Sequence, residues 1–341
     1  MRLSTYMLKR TGYVAFTLIG LSVLVFILAR VLPGDPARMA AGDRATPFVI
    51  EQLRKQLGLD KPLYEQYFVW MNAVFHGDLG YSLTTRRSVT ADVLEYLPTS
   101  LELIILAAVF QIAGAFVLGV IAGRYSYKAP DTLVRVVSYV GISIPAFVMG
   151  VVLQLLFSWN LKFFPTTGQL SQGITRPPVV TGMVTLDSLI AGNFVGFVNA
   201  LWHMVLPALA LCIGAMCQDA RIIRSGMVEN KDKDYISMVT SQGLPERIVV
   251  LKYLLKPSLI PAVTIMGLDA AALMANAFLV ERVFDWPGFS KLGVTFMLNK
   301  DLNGIVAMVL VIGVIYAIAN IVVDIIVAYL DPRIRFMERG Q

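Results

Sequence analysis

The chain has 341 residues, of which 57% are hydrophobic and only 15% are charged, and its formal net charge is +6. A soluble globular chain contains about 25% charged residues, so this composition excludes an ordinary soluble domain and indicates a multi-pass membrane protein. The basic residues lie between apolar stretches and not in one patch. This distribution argues against nucleic acid as a partner and favours a role in fixing membrane orientation.

Six apolar stretches are long enough to cross the hydrocarbon core as helices. They predict an all-α fold with six transmembrane helices at about 12–32, 100–123, 134–160, 201–220, 258–281 and 304–330. The runs lack the two-residue alternation of barrel strands, and helices satisfy their own backbone groups in lipid. No signal cleavage pattern follows the first run, so we expect an uncleaved span. Pro145, Pro207 and Pro261 predict kinks within their helices.

The long segment 33–98 is predicted to be an external loop that contains short helices. Thr46-Pro47 has the pattern of a helix start and Gly58 that of a helix end. Pro62 precedes a second helical pattern whose aromatic residues suit either the membrane interface or packing against the spans. A second external loop, 161–200, could cover a pathway, contact a partner or simply connect two spans.

The segment from Asp219 to Pro257 carries 12 charged residues between two apolar runs. It predicts a water-exposed coupling loop at 218–257, partly helical and interrupted at Gly243. Together with the first ten residues, 124–135 and 331–341, this loop holds 16 of the 29 basic residues. The side of the membrane with more Lys and Arg is the cytoplasmic side, so we expect this loop and both termini there.

The sequence lacks the motifs of several kinds of catalytic site. It has no GxxxxGK[ST], HExxH, CxxC or GxSxG pattern, and it contains only two histidines. These patterns would indicate phosphate binding, a metal site or a nucleophilic serine. We therefore predict that the chain is not an enzyme and has no metal site or cofactor of its own.

Ionisable and strongly polar residues within membrane spans are costly and usually face a bundle interior or water. Five such residues are candidates for lining a pathway or for helix contacts: Gln111, Gln154, Asp269, Asn276 and Asp324. Asp324 lies close to the end of the last span, which favours a structural partner. For Asp269, pathway lining and a helix-to-helix hydrogen bond both remain open.

Residues 234–247 and 256–261 resemble the cytoplasmic "EAA" loop of type I ABC importer permeases, in the version of the dipeptide, oligopeptide, opine and nickel group. The other matching motifs are Pro33-Gly34-Asp35-Pro36, Leu57-Gly58-Leu59-Asp60-Lys61-Pro62, His76-Gly77-Asp78-Leu79-Gly80, Leu97-Pro98-Thr99-Ser100-Leu101-Glu102-Leu103, Trp286-Pro287-Gly288 and Asp331-Pro332-Arg333-Ile334-Arg335. Their order spans the whole chain, which is most similar to the "B" type of dipeptide permease subunit.

The resemblance implies the type I ABC importer permease fold and a multi-pass protein of a bacterial or archaeal plasma (inner) membrane. It implies one half of a translocation pathway for dipeptides, oligopeptides or similar small solutes. The implied partners are a second homologous permease, two ATP-binding subunits that carry ATP and Mg, an external solute-binding protein and membrane lipid.

The resemblance also implies which residues couple the chain to the ATP-binding subunits. They are Asp234, Tyr235, Ser237, Met238, Ser241, Gly243, Leu244, Glu246 and Arg247. The chain departs from the family at Met238 and Val239, where relatives have small residues, and at Asp269, where relatives often have an uncharged polar residue. The alternative function is a proton-coupled secondary transporter that uses Asp269 and Asp324 as titrating groups.

Overall fold

The computed structural model describes residues 3–31, 45–56 and 58–330, and within them all regular secondary structure is helical. The predicted all-α fold is confirmed. The helices are α1 Leu3–Val31, α2 Pro47–Gln56, α3 Leu63–Phe75, α4 Val89–Arg124, α5 Ala129–Ser143, α6 Ala146–Asn160, α7 Val184–Ile190, α8 Phe194–Lys231, α9 Asp234–Ser241, α10 Glu246–Val283, α11 Phe289–Leu298 and α12 Leu302–Leu330. The predicted motifs at 33–36 and 331–335, and Leu57, lie outside the described residues.

Five helices are long and apolar enough to cross a membrane: α1, α4, α8, α10 and α12. A sixth span results if α5 and α6 are counted together, although the pair is bent by 110°. The predicted span 134–160 therefore covers two helices and not one. Ile144 is extended, with φ −92° and ψ 122°, because the ring of Pro145 disfavours helical geometry in the residue before it. Pro207 and Pro261 lie inside uninterrupted helices.

The long segment before the second span is shorter than predicted, because α4 begins at Val89. Its two short helices lie where the sequence predicts them, and Gly58 adopts φ +63° after α2. Helix α3 packs against α1 through Phe26, whose ring lies 5.5 Å from that of Trp70. The sequence left open whether the aromatic residues of α3 lie at the membrane interface or pack against the spans, and the structure shows packing against α1.

Helices α4, α8 and α10 form the centre of the bundle, and glycines on α4 allow α8 to approach closely. A methyl group on Gly119 would lie 2.7 Å from Cβ of Ile223, and one on Gly123 would lie 2.7 Å from Sδ of Met227. Small residues at helix contacts let backbones approach and gain dispersion energy in a membrane, where apolar burial alone drives little association.

The two ends of the bundle can be told apart by their contacts. At one end, Arg124 Nε lies 3.2 Å from Glu246 Oε1, and Lys231 Nζ donates to Ser126 Oγ at 3.0 Å. This end carries the connection between α8 and α10, and we call it the 232–245 end. The turns before α4, α8 and α12 lie at the opposite end.

The opposite end is held by buried hydrogen bonds between segments far apart in sequence. Trp286 Nε1 donates to the Thr99 carbonyl at 3.1 Å, so two of the motifs found in the sequence contact each other. Glu102 accepts from the Thr185 N–H at 2.6 Å at the start of α7. Burial would raise the pKa of the Asp187 carboxyl, but hydrogen bonds donated by Thr181 and Gly182 outweigh burial, so this pKa lies below its ordinary value.

Candidate functional site

The connection between α8 and α10 is the first part of the candidate site. Helix α8 continues to Lys231 and α10 begins at Glu246, so only 232–245 lies between them, and α9 occupies most of it. The first and last parts of the predicted loop 218–257 are therefore the end of α8 and the start of α10. All nine residues expected to couple the chain to a partner lie on this segment or on the first turn of α10.

Helix α9 is fixed to the bundle by its apolar face. Ile236 is buried, and it packs with Val250 and Leu254 of α10 in a cluster that Val239 and Leu244 adjoin. The helix ends at Ser241, and Gly243, two residues later, adopts φ +73° and donates its N–H to the Thr240 carbonyl at 3.0 Å. This is the left-handed conformation that glycine adopts without a steric penalty.

The opposite face of α9 is exposed and partly apolar. Met238 is 63% exposed and Tyr235 is 39% exposed. Eight of the nine expected coupling residues are exposed, namely Asp234, Tyr235, Ser237, Met238, Ser241, Gly243, Glu246 and Arg247. Exposed apolar side chains on a helix whose other face is firmly packed are typical of a surface that contacts another protein.

The second feature is a polar cluster among α4, α8 and α10. Gln111 Nε2 donates to Asp219 Oδ2 at 2.7 Å and to the Met266 carbonyl at 3.3 Å, and both Gln111 and Asp219 are fully buried. The Asp269 carboxyl of α10 is a near neighbour of the Asp219 carboxyl, but its Oδ2 has no hydrogen-bond partner among the described residues. Gln111 and Asp269 therefore both lie next to Asp219, and the hydrogen bonds of Gln111 join α4 to α8 and α10.

Asp219 belongs to the buried core, although its position in the charged segment predicts a loop residue. A signal was present: Cys212, Met216, Asp219, Ile223 and Met227 recur at intervals of three or four residues, which places them on one helix face. Four of these five positions are apolar, which would have placed the aspartate on the buried stripe.

Two other predicted residues also make helix contacts. Asp324 of α12 forms an ion pair with Arg10 of α1, with Arg10 Nη2 2.7 Å from Asp324 Oδ1. Gln154 of α6 donates to the Thr166 carbonyl at 2.7 Å and to the Val283 carbonyl at 3.3 Å. These residues join elements that are distant in sequence, and the structure gives Asp324 the structural partner expected for it.

The third feature is an open cavity of about 570 Å³ at the break between α5 and α6. Its lining residues come from α6, α10 and α11 and from the break itself: Pro145, Ala146, Phe147, Ala275, Asn276, Phe278, Leu279, Val294, Met297 and Leu298. Asn276 is the one polar side chain in this lining. Broken helices around a cavity are a common way to build a solute site within a membrane.

Among the described residues, no group of three or more His, Cys, Asp or Glu side chains is arranged to hold a metal ion. Cys212 and Cys217 are both buried and are not bonded to each other. The three features are therefore a packed and exposed connecting helix, a buried polar contact and a mainly apolar cavity. Such an arrangement can bind partners and solutes.

Comparison with known proteins gives matches over nearly the whole chain. Residues 115–336 match the family described as "Binding-protein-dependent transport system inner membrane component", and residues 3–104 match the N-terminal part of such membrane components. The first match includes Asp219 and Asp269 of the polar cluster, the cavity and the 232–245 connection, and Gln111 lies between the two matched ranges.

Three relatives are similar to the chain over nearly its whole length. The probable D,D-dipeptide transport system permease protein DdpB of Escherichia coli (strain K12) is 39% identical over 315 residues, which cover 92% of this chain and 93% of that protein. The di/tripeptide transport system permease protein DppB of Pseudomonas aeruginosa (strain UCBPP-PA14) is 34% identical over 332 residues, covering 97% and 98%. The glutathione transport system permease protein GsiC of Escherichia coli (strain K12) is 34% identical over 331 residues, covering 97% and 99%.

Proposed function

Because this chain belongs to the family of binding-protein-dependent transport system inner membrane components, we propose that it forms half of a pathway that imports short peptides or similar small solutes. It is a permease subunit of an ABC importer of the dipeptide group. The similar proteins are named for D,D-dipeptides, di- and tripeptides, and glutathione, which share a small peptide-like backbone. The alternative of a proton-coupled secondary transporter does not fit this family.

The single observation that carries the coupling proposal is the two-faced helix α9. Its inner face, with Ile236, is packed against α10, so a force on α9 is passed to a spanning helix. Its outer face presents Tyr235 and Met238 to a partner. We propose that this face binds one of two ATP-binding subunits, which hold ATP and Mg, and that their closure moves α9 and α10 as a packed unit.

The remaining parts of the proposal concern orientation and the pathway. The 232–245 end and both termini lie in the cytoplasm, since the basic residues are concentrated there. The cavity beside Asn276 is part of the solute pathway, and a second homologous permease completes it. An external solute-binding protein docks at the opposite end and delivers the solute.

The coupling proposal predicts that Met238→Asp separates the chain from the ATP-binding subunit. Met238 is 63% exposed in the chain, so the substitution leaves the fold intact, but it places an unpaired charge in the proposed contact. The loss of a central contact in a protein interface costs about 2 kcal/mol or more, which is roughly a thirtyfold loss of affinity. Co-purification and a binding titration with the purified ATP-binding subunit measure this loss.

Met238→Leu is the matched control, because it keeps an apolar side chain of similar volume and should retain association. Thermal unfolding of both variants shows whether the chain itself is unchanged. If Met238→Asp binds the ATP-binding subunit as tightly as the wild-type chain does, α9 is not the coupling surface.

A further inference from the structure

A cavity of about 460 Å³ lies between α5 and α8, near the 232–245 end. It is separate from the cavity beside Asn276 and from the outer face of α9. Its lining residues are Arg135, Tyr139, Gln218, Arg221, Ile222, Arg224 and Ser225. Three of these seven side chains are arginines, and none of the seven is acidic.

One buried carboxylate faces this set of arginines. Asp131 is fully buried and accepts from Arg224 Nε at 2.7 Å and Nη2 at 2.8 Å. Arg135 Nε lies 3.5 Å from the same carboxylate. A single Asp131 therefore balances one of three guanidinium groups, and the cavity retains an excess of about two positive charges.

Arg221 is held in place without a carboxylate among the described residues. Its guanidinium lies over the ring of Tyr139, 5.3 Å from the ring centre, and the side chain is exposed. A stacked guanidinium keeps its N–H groups available in a fixed fork, which matches the oxygen atoms of a phosphate or carboxylate. The wall of the cavity thus offers ordered donors to an anion.

The adjoining surface of α5 is apolar. Leu133, Val136, Val137 and Val140 follow helical spacing, and between 48% and 65% of each is exposed. Such a stripe on a membrane-embedded helix is suited to acyl chains. Arginines beside an exposed apolar stripe combine the two recognition elements of an anionic phospholipid, namely a charged headgroup and hydrocarbon.

We propose that this cavity binds the phosphate group of an anionic phospholipid, in the leaflet at the 232–245 end, with its acyl chains along the apolar stripe of α5. Basic pockets between spanning helices bind such headgroups in other membrane proteins. The lipid bridges α5 and α8, the helix that leads directly into the coupling segment. The site depends on membrane insertion and not on the identity of the transported solute.

The test uses the complete transporter, purified with its partner subunits and delipidated in detergent. Native mass spectrometry then measures the binding of phosphatidylglycerol and of phosphatidylcholine to the wild-type chain and to Arg221→Gln. We expect preferential binding of phosphatidylglycerol, weakened about fivefold in Arg221→Gln, since each basic side chain near an anionic headgroup has an effect of roughly this size. Arg221 has no carboxylate partner among the described residues, so the variant should fold, and its thermal unfolding without lipid checks this.

Lys252→Gln is the matched control, because it removes one positive charge from an exposed position of α10, at the same end but outside the cavity. It should bind phosphatidylglycerol as the wild-type chain does. The proposal is overturned by an equal loss in both variants, by equal binding of the two lipids, or by full competition from inorganic phosphate, which would indicate a site for free anions. It is also overturned if the partner permease covers the cavity and no lipid binds.

Discussion

At the residue scale, the polar side chains within the spans mostly join helices. Gln111, Gln154 and Asp324 each bond a partner on another element, and Asn276 alone lines the mainly apolar cavity. Their chemistry marked them in the sequence because polar groups in lipid must be satisfied. Which partner each would find was not predictable, since the partners lie far away in the chain.

The contact of Gln111 with Asp219 gives a prediction about stability. Gln111→Leu removes the donor and leaves a buried carboxylate without it, which should lower the free energy of unfolding by about 1–3 kcal/mol. Replacing both Gln111 and Asp219 by leucine should cost less, because no orphaned polar group remains at that contact. Thermal unfolding in detergent measures both. If the double variant is the less stable of the two, the contact does not have the energy assigned to it.

At the element scale, glycine and proline decide the geometry of the helices. Pro145 ends α5 and produces the 110° bend beside the cavity, whereas Pro207 and Pro261 remain inside continuous helices. The glycines on α4 set the distance to α8, and Gly243 sets the end of α9. The local sequence identified the three prolines and Gly243, but it predicted a kink at each proline and gave no indication that glycines on α4 would meet α8.

The close approach of α4 and α8 predicts that Gly119→Leu is destabilising. The new side chain would collide with Ile223 and force the helices apart, at a cost of about 1–3 kcal/mol or more. Gly20→Leu is the matched control, because nothing lies within 4 Å of the corresponding position on α1. We expect this control to stay within about 0.5 kcal/mol of the wild-type chain in thermal unfolding. Equal effects at both positions would show that the α4–α8 approach is not limited by Gly119.

At the scale of the whole molecule, one spanning helix, α10, contacts both the packed helix α9 and the cavity beside Asn276. Helix α10 begins next to α9 and carries Asn276 in its second half. In the proposed function, a displacement of the connecting helix passes along this one continuous helix to the proposed pathway. This geometry fits a transporter whose energy source is a separate subunit.

This arrangement predicts how transport responds to its energy source. In vesicles containing the complete transporter and its binding protein, uptake of a labelled dipeptide should require ATP on the side of the 232–245 end. Uptake should persist when an ionophore collapses the proton gradient, because ATP supplies the energy in the proposed function and Asp324 is held in an ion pair with Arg10. Uptake that follows the pH gradient without ATP would contradict the proposed function, and glutathione added as a competitor tests the solute class.

The sequence by itself determined the helical class, the apolar stretches, the ordered motifs and the exposed connecting helix, because hydrophobic length and turn residues act locally. From the sequence, Asp219 was predicted to lie in a loop and 134–160 to form one span, which the structure divides between α5 and α6. The tertiary structure alone decided that Asp219 is a buried partner of Gln111 and that Trp286 reaches Thr99. It also brought Arg135, Arg221 and Arg224 around one cavity. These contacts depend on which helix faces meet in space, and that is fixed by the packing of distant segments.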